Sequence, residues 1–282
     1  MESGVFARQM KSHQASKAAT DGRVIYAVGD VHGRLDLLNA LLAQIEADRI
    51  AVRPAARPLL VFMGDYVDRG PASMGVIDRI VGITRRKAFE TVALMGNHEQ
   101  TLLQFLGDAR AGPIWVMHGG KETLVDYGII APFIDAAPAA WEAARNAFVR
   151  ALPRRHREFL AGLRLQAACG DYFFAHAGVR PGVPLGQQAE QDLLTIRRDF
   201  LAANAPFGKV VVHGHTPTEE PYSGPNRINV DTGAYASGVL TAVRLEGAER
   251  RFIQSRAASP PSVRGRSKLA DFRARWTPDP VR

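Results

Sequence analysis

One cysteine in 282 residues excludes an intramolecular disulfide framework, and Cys169 is expected to serve as a small buried apolar residue in a reducing compartment. No stretch approaches the roughly 18 consecutive apolar residues of a membrane span. Residues 1–21 carry Arg8, Lys11 and Lys17 but no apolar signal core, so a cytoplasmic location is expected. No segment repeats, which excludes solenoids and propellers. The formal net charge of +8 is scarce in the middle of the chain. Residues 1–20 contribute +2 and residues 256–282 contribute +5, so the centre is left near +1. A basic face for nucleic acid needs clustered charge on an ordered surface, and this distribution does not supply it.

What is present is an alternation of short apolar runs and amphipathic stretches, the pattern of an α/β fold. Strands are expected at 24–28, 59–63 and 91–95, with helices at 35–47, 73–83 and 98–106. A helical insertion is expected over about 138–163, as helices at 138–151 and 154–163. Further strands follow at 171–175 and 210–212. The last runs, at 226–230, 238–244 and 249–253, are expected to form a second sheet that sandwiches against the first. The chain thus divides into a basic, disordered segment at 1–20, a catalytic domain at 21–255 and a basic, Pro/Arg-rich, disordered tail at 256–282, in which Phe272 and Trp276 offer the only docking groups.

Ligands in open α/β sheets sit at the carboxyl ends of strands. Here five expected strands end, in turn, at Asp30/His32, Asp65/Asp68, Asn97/His98, His176 and His213/His215. All are oxygen or imidazole donors, suited to Mn, Fe or Zn, and their number exceeds the needs of one four-coordinate ion. Two divalent ions bridged by one carboxylate are the arrangement used for in-line attack on phosphate esters. Glycines beside these residues permit the tight turns that aim them inward.

Gly29-Asp30-Val31-His32-Gly33, Gly64-Asp65-Tyr66-Val67-Asp68-Arg69-Gly70 and Gly96-Asn97-His98-Glu99 resemble the three signature blocks of the metal-dependent phosphoprotein phosphatases, a family of the calcineurin-like metallophosphoesterase superfamily. His176-Ala177-Gly178-Val179 and Gly214-His215-Thr216-Pro217 resemble later histidine blocks of its bacterial and phage branch, as does Met95 before the third block. The resemblance implies two mixed β-sheets in a sandwich flanked by helices. It also implies that Asp30 and His32 bind one metal, that Asp65 bridges both, and that Asn97, His176 and His215 hold the second. His98 would be the general acid, Asp68 its orienting carboxylate, and a hydroxide activated by the ions the nucleophile. Arg69, Asn97 and one of Arg197 or Arg198 would bind phosphate; Arg197 matches the family position, but a slip of one residue would hand the role to Arg198. Tyr235 lies where a pocket residue or a core aromatic would stand. His213 is expected to pack behind the site. His118-Gly119-Gly120 lies in a polar stretch before the insertion and is rejected as a ligand block.

The expected activity is that of a metal-dependent phosphomonoesterase, a serine/threonine protein phosphatase acting on phosphorylated protein or small phosphate esters. Symmetrical hydrolysis of diadenosine tetraphosphate is the alternative; relatives of that kind tend to lack the pair Asp68-Arg69 and to carry Asp in place of Glu99. A third reading, a module binding nucleic acid or an acidic partner through the basic tail, leaves the metal constellation without a purpose. Neither a membrane nor nucleic acid is an expected partner.

Overall fold

In the computed structural model the described residues are 19–257, so the expectations for residues 1–18 and for the tail from 258 onward, with Phe272 and Trp276, lie outside them. Three apolar runs form parallel strands: β1 (Val24–Val28), β2 (Leu59–Phe62) and β3 (Glu90–Ala93). Each β1 residue is buried because both faces are covered. Tyr26 and Val28 face the crossover helices α1 (Leu35–Val52) and α2 (Ser73–Thr84), whereas Ile25 and Ala27 face the second sheet. Helix α3 (Asn97–Gly107) follows β3 directly.

The helical insertion is longer than expected. It contains a 3-10 turn (Ala109–Ala111), α4 (Gly112–Trp115), a π-helical turn (Val116–Gly120), α5 (Lys121–Asp126), α6 (Pro138–Ala151) and α7 (Arg154–Ala161). Three glycines and a proline within 112–120 interrupt the helical period and hid these elements. Trp115, Trp141 and Phe148 pack around Phe105 of α3 and tie the insertion to the core.

The second sheet differs from expectation. It is built from β4 (Gln166–Cys169), β5 (Tyr172–Ala175), β6 (Val210–His213), β7 (Tyr222–Ser223) and β8 (Arg227–Asn229), in the order β4-β5-β6-β8-β7. Its outer face is covered by α8 (Glu190–Thr195) and α9 (Arg198–Leu201) through Leu193, Ile196 and Phe200. After the short α10 (Ala234–Ser237), β9 (Val239–Glu246) and β10 (Glu249–Arg256) do not join it. They return to the first sheet, β9 lying antiparallel to β1, which gives the order β10-β9-β1-β2-β3. The reason is the open edge of β1: the apolar run of β9 completes a strand otherwise exposed on one side. The sheets meet through Ile25, Val61, Met63, Phe174, Val212 and Leu245. This is the α/β sandwich of two mixed sheets flanked by helices. Among the described residues no helix is long and apolar enough to cross a membrane.

Candidate active site and metal centre

The carboxyl ends of β1, β2, β5 and β6 and the start of α3 converge at one point. Five of the seven non-glycine residues with positive φ among those described lie here: His32, Asp65, Asp68, Arg69 and His215. The left-handed region is unfavourable for side chains with a Cβ, and such residues persist where surrounding contacts impose it. At Gly96 the requirement is close approach rather than φ: a Cβ would lie 2.1 Å from Asp65 Oδ1. That turn is held by Glu99, fully buried, whose Oε2 accepts the amides of Asp65 (2.9 Å) and Gly96 (3.0 Å) and whose Oε1 accepts those of Tyr66 (2.7 Å) and Val67 (3.2 Å). Burial and then Asp65 push the Glu99 carboxyl up, and the amides oppose them.

Asp65 is the hub. Its Oδ2 lies 3.4 Å from His32 Nε2 and 3.9 Å from His98 Nε2, and its Oδ1 lies 3.4 Å from His176 Nε2. Burial alone would raise its pKa, but His176, His98, His32 and Arg69 outweigh it and hold the carboxyl below its ordinary range. His32 Nδ1 donates to the Val67 carbonyl (2.9 Å) and His176 Nδ1 to that of Met63 (2.9 Å), so both rings turn an Nε2 lone pair inward. His176 Nε2 faces Asn97 Oδ1 at 3.1 Å, two acceptors in contact. Burial keeps His32, His176 and His215 below the usual imidazole range, hence neutral. His32 Nε2 accepts from the Arg69 guanidinium (2.9 Å), a cation drawn to that lone pair.

Two further atoms complete the fit. Asp30 accepts the His215 amide at Oδ2 (3.0 Å), while its buried Oδ1 and the buried Nε2 of His215 have no partner among the described residues. Unpartnered buried acceptors are costly, and divalent cations within reach of them would satisfy them. Two sets of ligand atoms, His32/Asp65/His98 and Asp65/His176/His215, each lie within 4.8 Å of one another. They share Asp65, and the donor set is oxygen and imidazole throughout, which suits divalent metal ions.

His98 is placed differently from the other imidazoles. Its Nδ1 donates to Asp68 Oδ2 (2.7 Å). Burial lowers its basicity, but the charge of Asp65 and the hydrogen bond and charge of Asp68 win over burial and Arg69, and His98 is held above its ordinary range. Asp68 in turn accepts from Trp115 Nε1 (2.9 Å) and Thr123 Oγ1 (2.6 Å), partners that sequence reasoning missed. The one available signal was Trp115 itself, since a buried indole N–H needs an acceptor.

Arg69 lies over the Tyr235 ring, 4.7 Å from its centroid, and that ring meets His32 edge-on at 5.3 Å; Tyr235 therefore lines the site. Arg197 is half-buried, and desolvation lowers its basicity, while Asp231, Asp30 and Asp65 oppose this and Arg69 adds to it. It shares the field of the site, whereas Arg198 is exposed at the start of α9. Asp231, buried and accepting the Gly233 amide at 2.8 Å, is pushed up to about 6 by burial and adds a carboxylate beside Asp30 that the sequence did not single out. His213 packs edge-on against Phe200 (4.9 Å), and burial pushes it down to about 3. His118 is exposed and bonded to the Ile114 carbonyl, away from the cluster. Cys169 is buried, which raises its thiol.

Comparison with known proteins accords with this geometry. Bis(5'-nucleosyl)-tetraphosphatase PrpE [asymmetrical] from Anoxybacillus flavithermus is 28% identical over 249 residues, 81% of this chain and 93% of its own length. The proteins of the same name from Bacillus subtilis (29%) and Bacillus velezensis (30%) also match over 81% of this chain, and over 93% and 91% of their own lengths. Among solved structures, one described as a candidate diadenosine tetraphosphatase superposes with a TM-score of 0.55 at 19% identity, covering 85% of this chain and 97% of its own. A cold-active protein-tyrosine phosphatase of a psychrophile Shewanella species does so at 0.52 and 15%, covering 86% and 85%; these two share the fold. The model of the calcineurin-like phosphoesterases matches residues 23–238, from the first residue before β1 to the turn before β9, so the chain belongs to that family of metal-dependent phosphoesterases.

Proposed function

We propose that the cluster is a dinuclear centre that serves the asymmetrical hydrolysis of dinucleoside tetraphosphates to a nucleoside triphosphate and a monophosphate. Asp30, His32 and Asp65 would hold one divalent ion; Asp65, Asn97, His176 and His215 would hold the other. When bound, such ions act as Lewis acids that activate water and polarise a phosphoryl oxygen. The observation that carries a phosphoryl-transfer reading is the juxtaposition, around Asp65, of inward lone pairs, a proton-bearing imidazole and guanidinium groups. Arg69 and Arg197 would bind phosphoryl oxygens, Arg69 as a planar donor braced on Tyr235, with Asn97 adjacent. His98, its Nδ1 fixed by Asp68, holds a proton at Nε2 for the departing oxygen. The curated relatives support the substrate, since their names specify it and the match spans nearly their whole length.

A second reading, hydrolysis of phosphoserine and phosphothreonine, is favoured by one observation. A nucleotide phosphate leaves readily near neutral pH, with a phosphate pKa of about 6, whereas a seryl alkoxide must be protonated, and the His98–Asp68 pair is built to do that.

One experiment separates the readings: metal-stripped protein is reconstituted with Mn(II), and with Fe(II) and Zn(II) in parallel. It is then given diadenosine tetraphosphate, a phosphothreonine peptide or p-nitrophenyl phosphate, with products resolved by chromatography. ATP with AMP is the expected result. Two molecules of ADP would move the assignment to symmetrical hydrolysis, and turnover of the phosphopeptide alone would move it to the protein phosphatase. No turnover of any of the three would overturn the hydrolase reading and return attention to the basic tail as a binding element. The location in the cytoplasm and the division into a catalytic domain at 21–255 with basic flanks belong to the same proposal.

A further inference from the structure

The segment rejected as a ligand block has another role. Trp115, Gly119 and Thr123 recur at intervals of four along α4, the π-turn and α5, and all three meet the dipeptide Asp68-Arg69. Trp115 Nε1 donates to Asp68 Oδ2 (2.9 Å), and Thr123 Oγ1 donates to Asp68 Oδ1 (2.6 Å) while lying 2.9 Å from the Asp68 amide. Gly119 accepts the Arg69 amide at its carbonyl (3.0 Å). Trp115 and Thr123 are fully buried. Gly119 has φ 107°, and a Cβ there would stand 2.6 Å from Arg69 Cγ. Asp68 and Arg69 both hold left-handed φ, 73° and 67°, a conformation that needs outside support. The chain kinks at Gly119, whose positive φ leaves the helical region where its carbonyl meets the Arg69 amide.

From this we infer that the stretch from Trp115 to Thr123 is a positioning element for catalysis. Trp115 and Thr123 fix the Asp68 carboxylate, and with it the line along which His98 offers its proton; Gly119 seats Arg69 against the phosphoryl group. The inference rests on the phosphoester-hydrolysis reading for its consequences, but its geometry is testable without turnover. Trp115 and Thr123, both fully buried, act through Asp68, and Gly119 acts through Arg69.

The test uses the full chain and the variants Trp115→Phe, Thr123→Val, Thr123→Ser and Gly119→Ala. Outer-sphere partners of catalytic groups typically contribute about 10–100-fold to activity. Trp115→Phe and Thr123→Val should each lose about tenfold in kcat on an alkyl ester, the phosphothreonine peptide, against less than about threefold on p-nitrophenyl phosphate, whose leaving group needs little protonation. Thr123→Ser, which keeps the hydroxyl, should restore the alkyl activity. Gly119→Ala should raise KM about tenfold for both substrates and leave their ratio unchanged. Independently of turnover, proton NMR of the Zn(II)-loaded chain should show a protected His98 Nδ1–H that broadens in Trp115→Phe/Thr123→Val. Equal losses on both esters, or a His98 signal untouched by the double variant, would overturn the inference. A chain that hydrolyses neither ester nor diadenosine tetraphosphate would sink the proposed function, while the NMR result would still decide the positioning element.

Discussion

Replacing Glu99 by Gln isolates the clamp on the turn that carries Asp65. The carboxylate accepts four backbone amides, two at each oxygen, from residues 65, 66, 67 and 96, and no part of it reaches solvent. With both oxygens used as acceptors, a proton has no place on it, which argues for the anion despite the upward push of burial and Asp65. Glutamine keeps the shape but turns one oxygen into an amino group, so two buried N–H groups face a donor. Each unsatisfied buried group costs about 1–3 kcal/mol, giving about 2–6 kcal/mol in all. Removing a buried charge recovers part of that, so a net loss of about 2–4 kcal/mol is expected. At about 2–4 °C per kcal/mol for a domain of this size, Tm should fall by about 5–15 °C. The assay is urea and thermal unfolding at pH 8 with metal chelated, so that weakened metal binding does not enter the difference. A loss below about 1 kcal/mol would mean that the four amides are not held by a carboxylate, and the account of this turn would fail.

Asp65→Asn removes the charge shared by both ligand sets, and calorimetric Mn(II) titration should show affinity falling by more than the roughly 10–100-fold typical of outer partners; retention of two tight sites would refute the bridging placement. Gly96→Ala places a Cβ 2.1 Å from Asp65 Oδ1 and should weaken metal binding and stability together. Gly82→Ala, within α2 with nothing within 4 Å of the new atom, should raise stability by about 0.4–1 kcal/mol; urea midpoints of the pair should move in opposite directions. Asp78 is pulled down to about 2, first by its hydrogen bond from Arg155 (2.6 Å) and then by His156 (2.8 Å). A depressed carboxyl adds stability above its unfolded value near 3.9 that is lost as pH falls towards 2, so Asp78→Asn should cost about 1 kcal/mol at pH 7, after discounting for its exposed side, and nearly nothing at pH 2. A cost that does not change between those values would show that the ion pair contributes nothing.

Strands β1 and β2 were legible because they are buried on both faces and so appear as short apolar runs ending in polar clusters; the runs at 24–28 and 59–63 match them within a residue. The assignment of β9 and β10 was not. Alternation says that residues 239–256 are extended, but the choice between two open sheet edges is made by pairing with β1, more than 200 residues earlier, and no local pattern encodes it. The helices of 109–126 failed for the opposite reason. Their glycines and proline are local signals against a helix, and they are overridden by contacts such as Trp115 on Phe105 and on Asp68.

The same division runs through the site. Asp30, His32, Asp65, Asn97, His98, His176 and His215 were visible because the chemistry restricts each to a few residue types and the sheet places each at a strand end. Trp115 and Thr123 act only through what they bond to, and a buried donor or acceptor looks from the sequence like any core or helix residue; Glu99 stood in the third block, but its four amide partners did not show there. Yet these hidden partners make the visible ones usable. Asp65, Asp68 and Arg69 sit in a backbone region that costs of order 1–3 kcal/mol each. That cost is offset by the four amides on Glu99 and by the bonds from Trp115, Gly119 and Thr123 to Asp68-Arg69. Protein contacts that offset the backbone cost in this way reduce what any binding at the site must spend on ordering the turn.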